Sequence, residues 1–135
     1  MVLPDTSVWV EFSRRGTEGR AAALAGLLDA GEVVTCGPVA AELLAGARGE
    51  VADRVWETLS SLPWAELSSA SWKEVGTVAG RLRADGRTLP LTDLVIAVAA
   101  SGGGHALWSF DADFERIGTV LADLSLYEPG TVRAR

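Results

Sequence analysis

Short apolar runs of period two alternate along the chain with longer stretches of period 3.6. Val2 and Leu3 open a strand over residues 2–4. Val8, Trp9 and Phe12 then recur at helical spacing and predict a helix over 6–13, with a loop over 14–17. Leu24, Leu27 and Leu28 share one stripe of a helix over 20–29, and Gly31 follows as its C-terminal cap. Residues 32–36 are short and β-branched, hence a strand, and Gly37-Pro38 ends it and opens a helix that stops near 46–49. Val51, Val55, Leu59 and Leu62 mark another helix, halted by Pro63, before a strand over 64–67. Trp72, Val75, Ala79 and Leu82 place one face of a long amphipathic helix over 69–84. A loop over 87–90 leads to a nearly all-apolar helix over 92–101, of the kind that is buried on several sides. The glycine run 102–104 ends it. A strand over 106–110, a helix over 112–121 with Phe114, Ile117 and Leu121 facing inward, and a strand over 124–127 complete the chain. Such alternation predicts an α/β fold, a parallel sheet covered by helices on both faces.

The length of 135 residues fits one domain spanning 1–135. No apolar run approaches the roughly 18 residues of a membrane span, and the N-terminus lacks the basic segment of a signal peptide. A single cysteine, Cys36, cannot close an internal disulfide, so a reducing, cytoplasmic setting is expected. The formal net charge of −6 argues against a non-specific nucleic-acid coat, which binds by neutralising phosphates. It leaves open an enzyme that meets nucleic acid through a metal. Lys73 is the only lysine, so lysine-based chemistry has one candidate.

Charge takes on meaning once the topology is considered. In a right-handed β–α–β unit, strand C-termini and helix N-termini share one edge of the sheet, and ligands bind along it. Asp5 follows the first strand. Glu42 lies in the second turn after the strand ending at Cys36. Asp93 opens the apolar helix, and Asp111 follows the strand over 106–110, with Asp113 two residues on. Each has a local explanation when taken singly: a helix cap for Asp5, a solvated flank for Glu42, a dipole partner for Asp93, turn residues for Asp111 and Asp113. Jointly they crowd. Two unit charges about 4 Å apart repel by about 4 kcal/mol at an effective dielectric of about 20. Such a nest calls for a cation or for bound protons. Oxygen-only donors suit Mg²⁺ or Mn²⁺ rather than zinc, which points to metal-assisted phosphoryl transfer. The hydroxyls of Thr6, Ser7 and Ser109 lie beside these acids. His105 reads as a strand-leading residue and Cys36 as a buried apolar one. Gly102–Gly104 has no following GKS or GKT and is not a phosphate loop.

Four segments resemble the PIN-domain family: Pro4-Asp5-Thr6-Ser7-Val8-Trp9-Val10, Pro38-Val39-Ala40-Ala41-Glu42-Leu43-Leu44-Ala45-Gly46, Leu91-Thr92-Asp93-Leu94-Val95-Ile96-Ala97 and Ser109-Phe110-Asp111-Ala112-Asp113-Phe114. Their order and spacing span nearly the whole chain, and the small size resembles the VapC toxins of toxin–antitoxin pairs. The resemblance implies a three-layer fold with a central parallel five-stranded sheet, a Mg²⁺- or Mn²⁺-dependent endoribonuclease, a homodimer, and inhibition by a VapB-type antitoxin. It implies that Asp5, Glu42, Asp93 and Asp111 form the catalytic and metal-holding quartet, with Asp113 as an accessory acid. Phe110 departs from the polar or basic residue that relatives often carry there, which leaves open what charge faces the substrate beside Asp111. Arg14, Arg15 and Arg20, and Arg81, Arg83 and Arg87 behind them, are candidates for guiding an RNA backbone. Rival readings are a PIN-fold protein of RNA processing outside a toxin pair, a non-catalytic binding module, and a receiver-like phosphoacceptor. The last needs a lysine at the end of a late strand, whereas Lys73 falls inside a predicted helix.

Overall fold

The computed structural model describes residues 1–130, so residues 131–135 of the expected domain lie outside the described part. The elements run β1 (Val2–Pro4), α1 (Thr6–Arg15), a single 3₁₀ turn (Gly16–Glu18), α2 (Ala23–Asp29), α3 (Gly37–Ala45), α4 (Gly49–Ser60), α5 (Ser69–Ala84), α6 (Leu91–Gly102), β2 (Ala106–Trp108), α7 (Asp113–Gly118) and β3 (Ser125–Leu126).

The three strands lie in the order β1-β2-β3, all parallel, with Leu3 beside Leu107 and Leu107 beside Leu126. On the far side of β1, Val2 bridges Val33 and Thr35 bridges Trp64, again in parallel. The N–H of Val34 donates to the carbonyl of Val2 at 2.9 Å, and the N–H of Ala65 to that of Thr35 at 2.7 Å. Five chain segments therefore lie side by side, as the resemblance implies. The strands expected over 32–36 and 64–67 contract, however, to isolated bridges. Pro63 has no N–H to give the ladder, and Gly37-Pro38 begins α3 at once. At the centre, Val2, Leu3, Leu107 and Trp108 are fully buried, the continuous apolar reading of a sheet covered on both faces.

Helix α6 is the hub. Every residue from Leu94 to Ala100 is buried, and the helix touches α3, α5, α7 and β2. Burying each large aliphatic side chain contributes about 1.5–3 kcal/mol, which makes this helix the rigid support for whatever its N-terminus carries. Some expected boundaries shift. Helix α1 runs on to Arg15 and stops at Gly16, whose φ of 52° is a left-handed conformation that glycine adopts without strain. Residues 20–22, expected to be helical, precede α2 instead. Helix α7 is six residues long rather than the expected 112–121, because Gly118 and the β-branched pair Thr119-Val120 are poor helix formers. Trp72 and Val51, placed on apolar stripes by the sequence, are 53% and 50% exposed. Among the described residues, no helix is long and apolar enough to cross a membrane.

Candidate functional site

The C-terminal ends of β1 and β2 and the N-terminal ends of α1, α6 and α7 meet at one edge of the sheet. Asp5 leaves β1 there: its N–H donates to the carbonyl of Trp108 at 2.8 Å. Its carboxylate caps α1, with Oδ1 accepting from the N–H of Val8 at 3.3 Å. The same Oδ1 accepts from Ser7 Oγ, and Oδ2 accepts from Ser109 Oγ, each at 2.5 Å. The two serines accept in turn: Ser7 Oγ from the N–H of Phe110 at 3.1 Å, Ser109 Oγ from the N–H of Asp111 at 2.9 Å. Asp5, only 6% exposed, thus stitches the first strand–helix junction to the loop after β2. Burial pushes its carboxyl above the ordinary carboxylate range, and the hydrogen bonds from Ser109, Ser7 and Val8 pull the other way.

In front of Asp5 stand Asp93, Asp111 and Asp113. One carboxylate oxygen from each lies within 4.8 Å of the others. Asp93 is in the first turn of α6, and the N–H of Asp113 donates to Asp111 Oδ1 at 2.9 Å across the turn into α7. Arg116, one turn along α7, reaches back to Asp113 Oδ1 at 2.5 Å. The Asp93 carboxyl is pushed up to about 6, first by burial and then by the charges of Asp111, Asp113, Glu42 and Asp5. All five acids singled out in the sequence therefore share one electrostatic neighbourhood.

Within it they hold different stations. Asp113, expected as an accessory, belongs to the tight trio. Asp5 sits behind the trio with both oxygens engaged. Glu42 is exposed on α3, and its Oε1 accepts from Thr6 Oγ1 at 3.1 Å. The trio offers only carboxylate oxygens, and of the three only Asp113 is paired with a cation, Arg116. That donor set fits a hard divalent cation.

Arg14 and Arg15 end α1 and are exposed, and Arg81 and Arg83 end α5 with Arg87 just beyond. Arg20, exposed as well, differs in having a ring beside it. Its guanidinium carbon lies 4.1 Å from the centroid of the Phe110 ring, so a cation stands beside the position where the sequence shows an aromatic. The ring itself packs edge-on against Trp108. Next to Glu42, helices α1, α3 and α4 wall a groove of about 690 Å³ floored by Trp9, Phe12, Leu43 and Leu59 and rimmed by Arg14 and Arg54. Neither feature was visible in local sequence spacing, because each joins residues far apart in the chain.

Comparison with known proteins places this geometry. The PIN domain family profile matches residues 2–120. Ribonuclease VapC11 of Mycobacterium tuberculosis is 30% identical over 125 residues, covering 89% of this chain and 93% of that protein. Among solved structures, VapBC-1 from nontypeable Haemophilus influenzae superposes with a TM-score of 0.73 at 20% identity, over 95% of this chain and 98% of that one. Mycobacterium tuberculosis VapC20, a sarcin–ricin loop cleaving toxin, does so with a TM-score of 0.65 at 19% identity, over 87% and 95%.

Proposed function

This chain belongs to the PIN-domain family and to the VapC group within it, and from that premise we propose that it is a divalent-metal-dependent endoribonuclease, the toxin of a toxin–antitoxin pair. The relative at 30% identity is named a ribonuclease, which supports RNA as the substrate class. The observation that carries the reading is the trio of Asp93, Asp111 and Asp113, with oxygens inside 4.8 Å and two further acids behind and beside them.

In this reading Asp93, Asp111 and Asp113 would hold Mg²⁺ or Mn²⁺, with Glu42 and Asp5 completing the anionic surround. The chemistry that such an ion would supply there is Lewis acidity toward a phosphodiester. The chain's own residues do the positioning. Asp5, through Ser7 and Ser109, keeps the loop carrying Asp111 and Asp113 in register with the first strand. The buried body of α6 fixes Asp93 opposite that loop. Thr6 holds the Glu42 carboxylate at the edge of the crevice. Arg14, Arg15 and Arg20 offset the repulsion between an acidic protein and RNA. Products with a 5′-phosphate and a 3′-hydroxyl follow from water attack with departure of the 3′-oxygen.

A VapB-type antitoxin is the partner assigned here, its C-terminal tail filling the crevice along the groove beside Glu42. A homodimer is the assembly, and the cytoplasm, where RNA and a reduced Cys36 coexist, is the setting. The test is incubation of the purified protein with total RNA. Cleavage is expected with Mg²⁺ or Mn²⁺, is expected to stop on chelation, and should leave 5′-phosphate ends on mapping. RNA that stays intact under both metals contradicts the nuclease reading.

A further inference from the structure

Arg20 lies over the ring of Phe110, the residue between Ser109 and Asp111 of the acidic crevice. We propose that Arg20, seated on the Phe110 ring, is a substrate-positioning residue that grips a phosphate of the single-stranded RNA backbone beside the bond that is cut. The inference rests on the nuclease reading and deepens it.

Three features of the fold fix the cation. The loop carrying Arg20 lies flush against α1 at Gly19: a Cβ there would stand 2.7 Å from Arg15 Cβ and 2.8 Å from Glu11 Oε1. Only glycine lets the chain pass that close, and Arg20 follows immediately. The Phe110 backbone is pinned by its N–H bond to Ser7 Oγ, the hydroxyl that also donates to Asp5. The Phe110 ring leans on Trp108, 6.1 Å between centroids at 79°, and Trp108 is fully buried. The guanidinium therefore rests on a residue whose chain neighbours, Ser109 and Asp111, belong to the acid nest.

The chemistry left free on Arg20 is that of a phosphate binder. A guanidinium lying over a ring keeps N–H donors that the ring does not engage. A planar fork of donors matches two phosphate oxygens. Among the described residues no carboxylate ion-pairs with Arg20, whereas Arg116 is taken by Asp113 and Arg54 reaches Glu50. Arg14, Arg15 and Arg20 are all exposed, and of the three only Arg20 has a ring beside it among the described residues. A side chain already resting on a ring loses less freedom on binding. The position also answers a need: RNA entering a nest of five carboxylates meets repulsion that a fixed cation at its wall offsets.

The test measures binding of a labelled oligouridylate, a sequence-neutral single strand, to protein carrying Asp93→Asn to silence cleavage, across a salt series. Adding Arg20→Gln is expected to weaken binding about tenfold and to flatten the slope of log affinity against log salt by about 0.7, the loss of one phosphate contact. Lys73→Gln, the same change in net charge far along the chain, is expected to alter neither. Phe110→Leu, which keeps the cation but removes its seat, is expected to fall between. In otherwise intact enzyme, Arg20→Gln is expected to raise KM for RNA with kcat within about twofold, and Arg20→Lys to recover part of the loss. An unchanged affinity and salt slope in Arg20→Gln, with the parent enzyme cleaving RNA, overturns this assignment alone. A parent enzyme that leaves RNA intact overturns the nuclease reading and this inference with it.

Discussion

Asp93→Asn is expected to abolish RNA cleavage and, in metal-free protein at neutral pH, to raise the melting temperature. The opposite signs have one cause. Asp93 is half-buried and faces four other acids, and burial first and their charges second push its carboxyl from 3.8 to about 6. The folded chain holds that proton more tightly than the unfolded chain does. The stability this confers is present below the ordinary carboxylate range and is lost as pH rises through about 6. A rise from 3.8 to about 6 corresponds to about 3 kcal/mol before screening. Asp93 is partly exposed, and screening by solvent reduces this to about 1–2 kcal/mol. An asparagine also forgoes the attraction between a first-turn acid and the helix dipole, about 0.5 kcal/mol, which is the smaller quantity. The net gain of about 1 kcal/mol amounts to roughly 3–5 °C in a domain of this size. Activity moves the other way by far more, at least about a hundredfold, because a neutral amide replaces an anionic metal donor in the trio. Thermal melts in chelator together with cleavage assays in Mg²⁺ read both effects. A variant that loses stability without metal, or that cleaves at the parent rate, contradicts the assignment.

Trp108→Ala is expected to cost the fold about 3–5 kcal/mol, which is a large share of the total of about 5–15 kcal/mol available to a domain. Trp108 is 1% exposed at the end of the central strand β2 and meets both Tyr127, 5.1 Å away between centroids, and Phe110. No neighbouring backbone can collapse into the volume of an indole in the middle of a sheet. The residues after it, Ser109 to Asp111, carry the hydroxyl that binds Asp5 and one acid of the trio, so loss of packing propagates to the crevice. The denaturant midpoint should drop steeply, and Trp108→Phe should recover most of the loss because a ring of similar depth remains. A Trp108→Ala midpoint close to that of the parent protein would place the core elsewhere.

Much of this arrangement is written in the chain's periodicities. The apolar run from Leu94 to Ala100 announces a helix buried on several sides, and that stretch of α6 is buried throughout. The convergence of Asp5, Glu42, Asp93, Asp111 and Asp113 follows from the handedness of β–α–β units alone, because that rule fixes which ends share an edge. What the rule does not reach is the ranking among those acids. Whether a carboxylate ends up behind serine hydroxyls, as Asp5 does, or in a trio, as Asp113 does, depends on side-chain directions across loops. Strand length escaped as well: residues 32–36 have the composition of a strand, but Pro63 and Gly37-Pro38 leave their neighbours too little backbone to pair. The Arg20–Phe110 contact was illegible for a third reason. Its two members lie far apart in the chain and meet only through the fold, so no local period announces them.

The most direct measurement is a calorimetric titration of Mn²⁺ into metal-free protein, paired with melting curves. The acid trio predicts saturable binding in the parent chain and a rise in melting temperature with metal concentration, about 2.7 kcal/mol of stabilisation at a hundredfold excess over Kd. Both should vanish in Asp93→Asn. No heat and no shift in the parent chain, or undiminished binding in Asp93→Asn, would show that these carboxylates do not hold a cation.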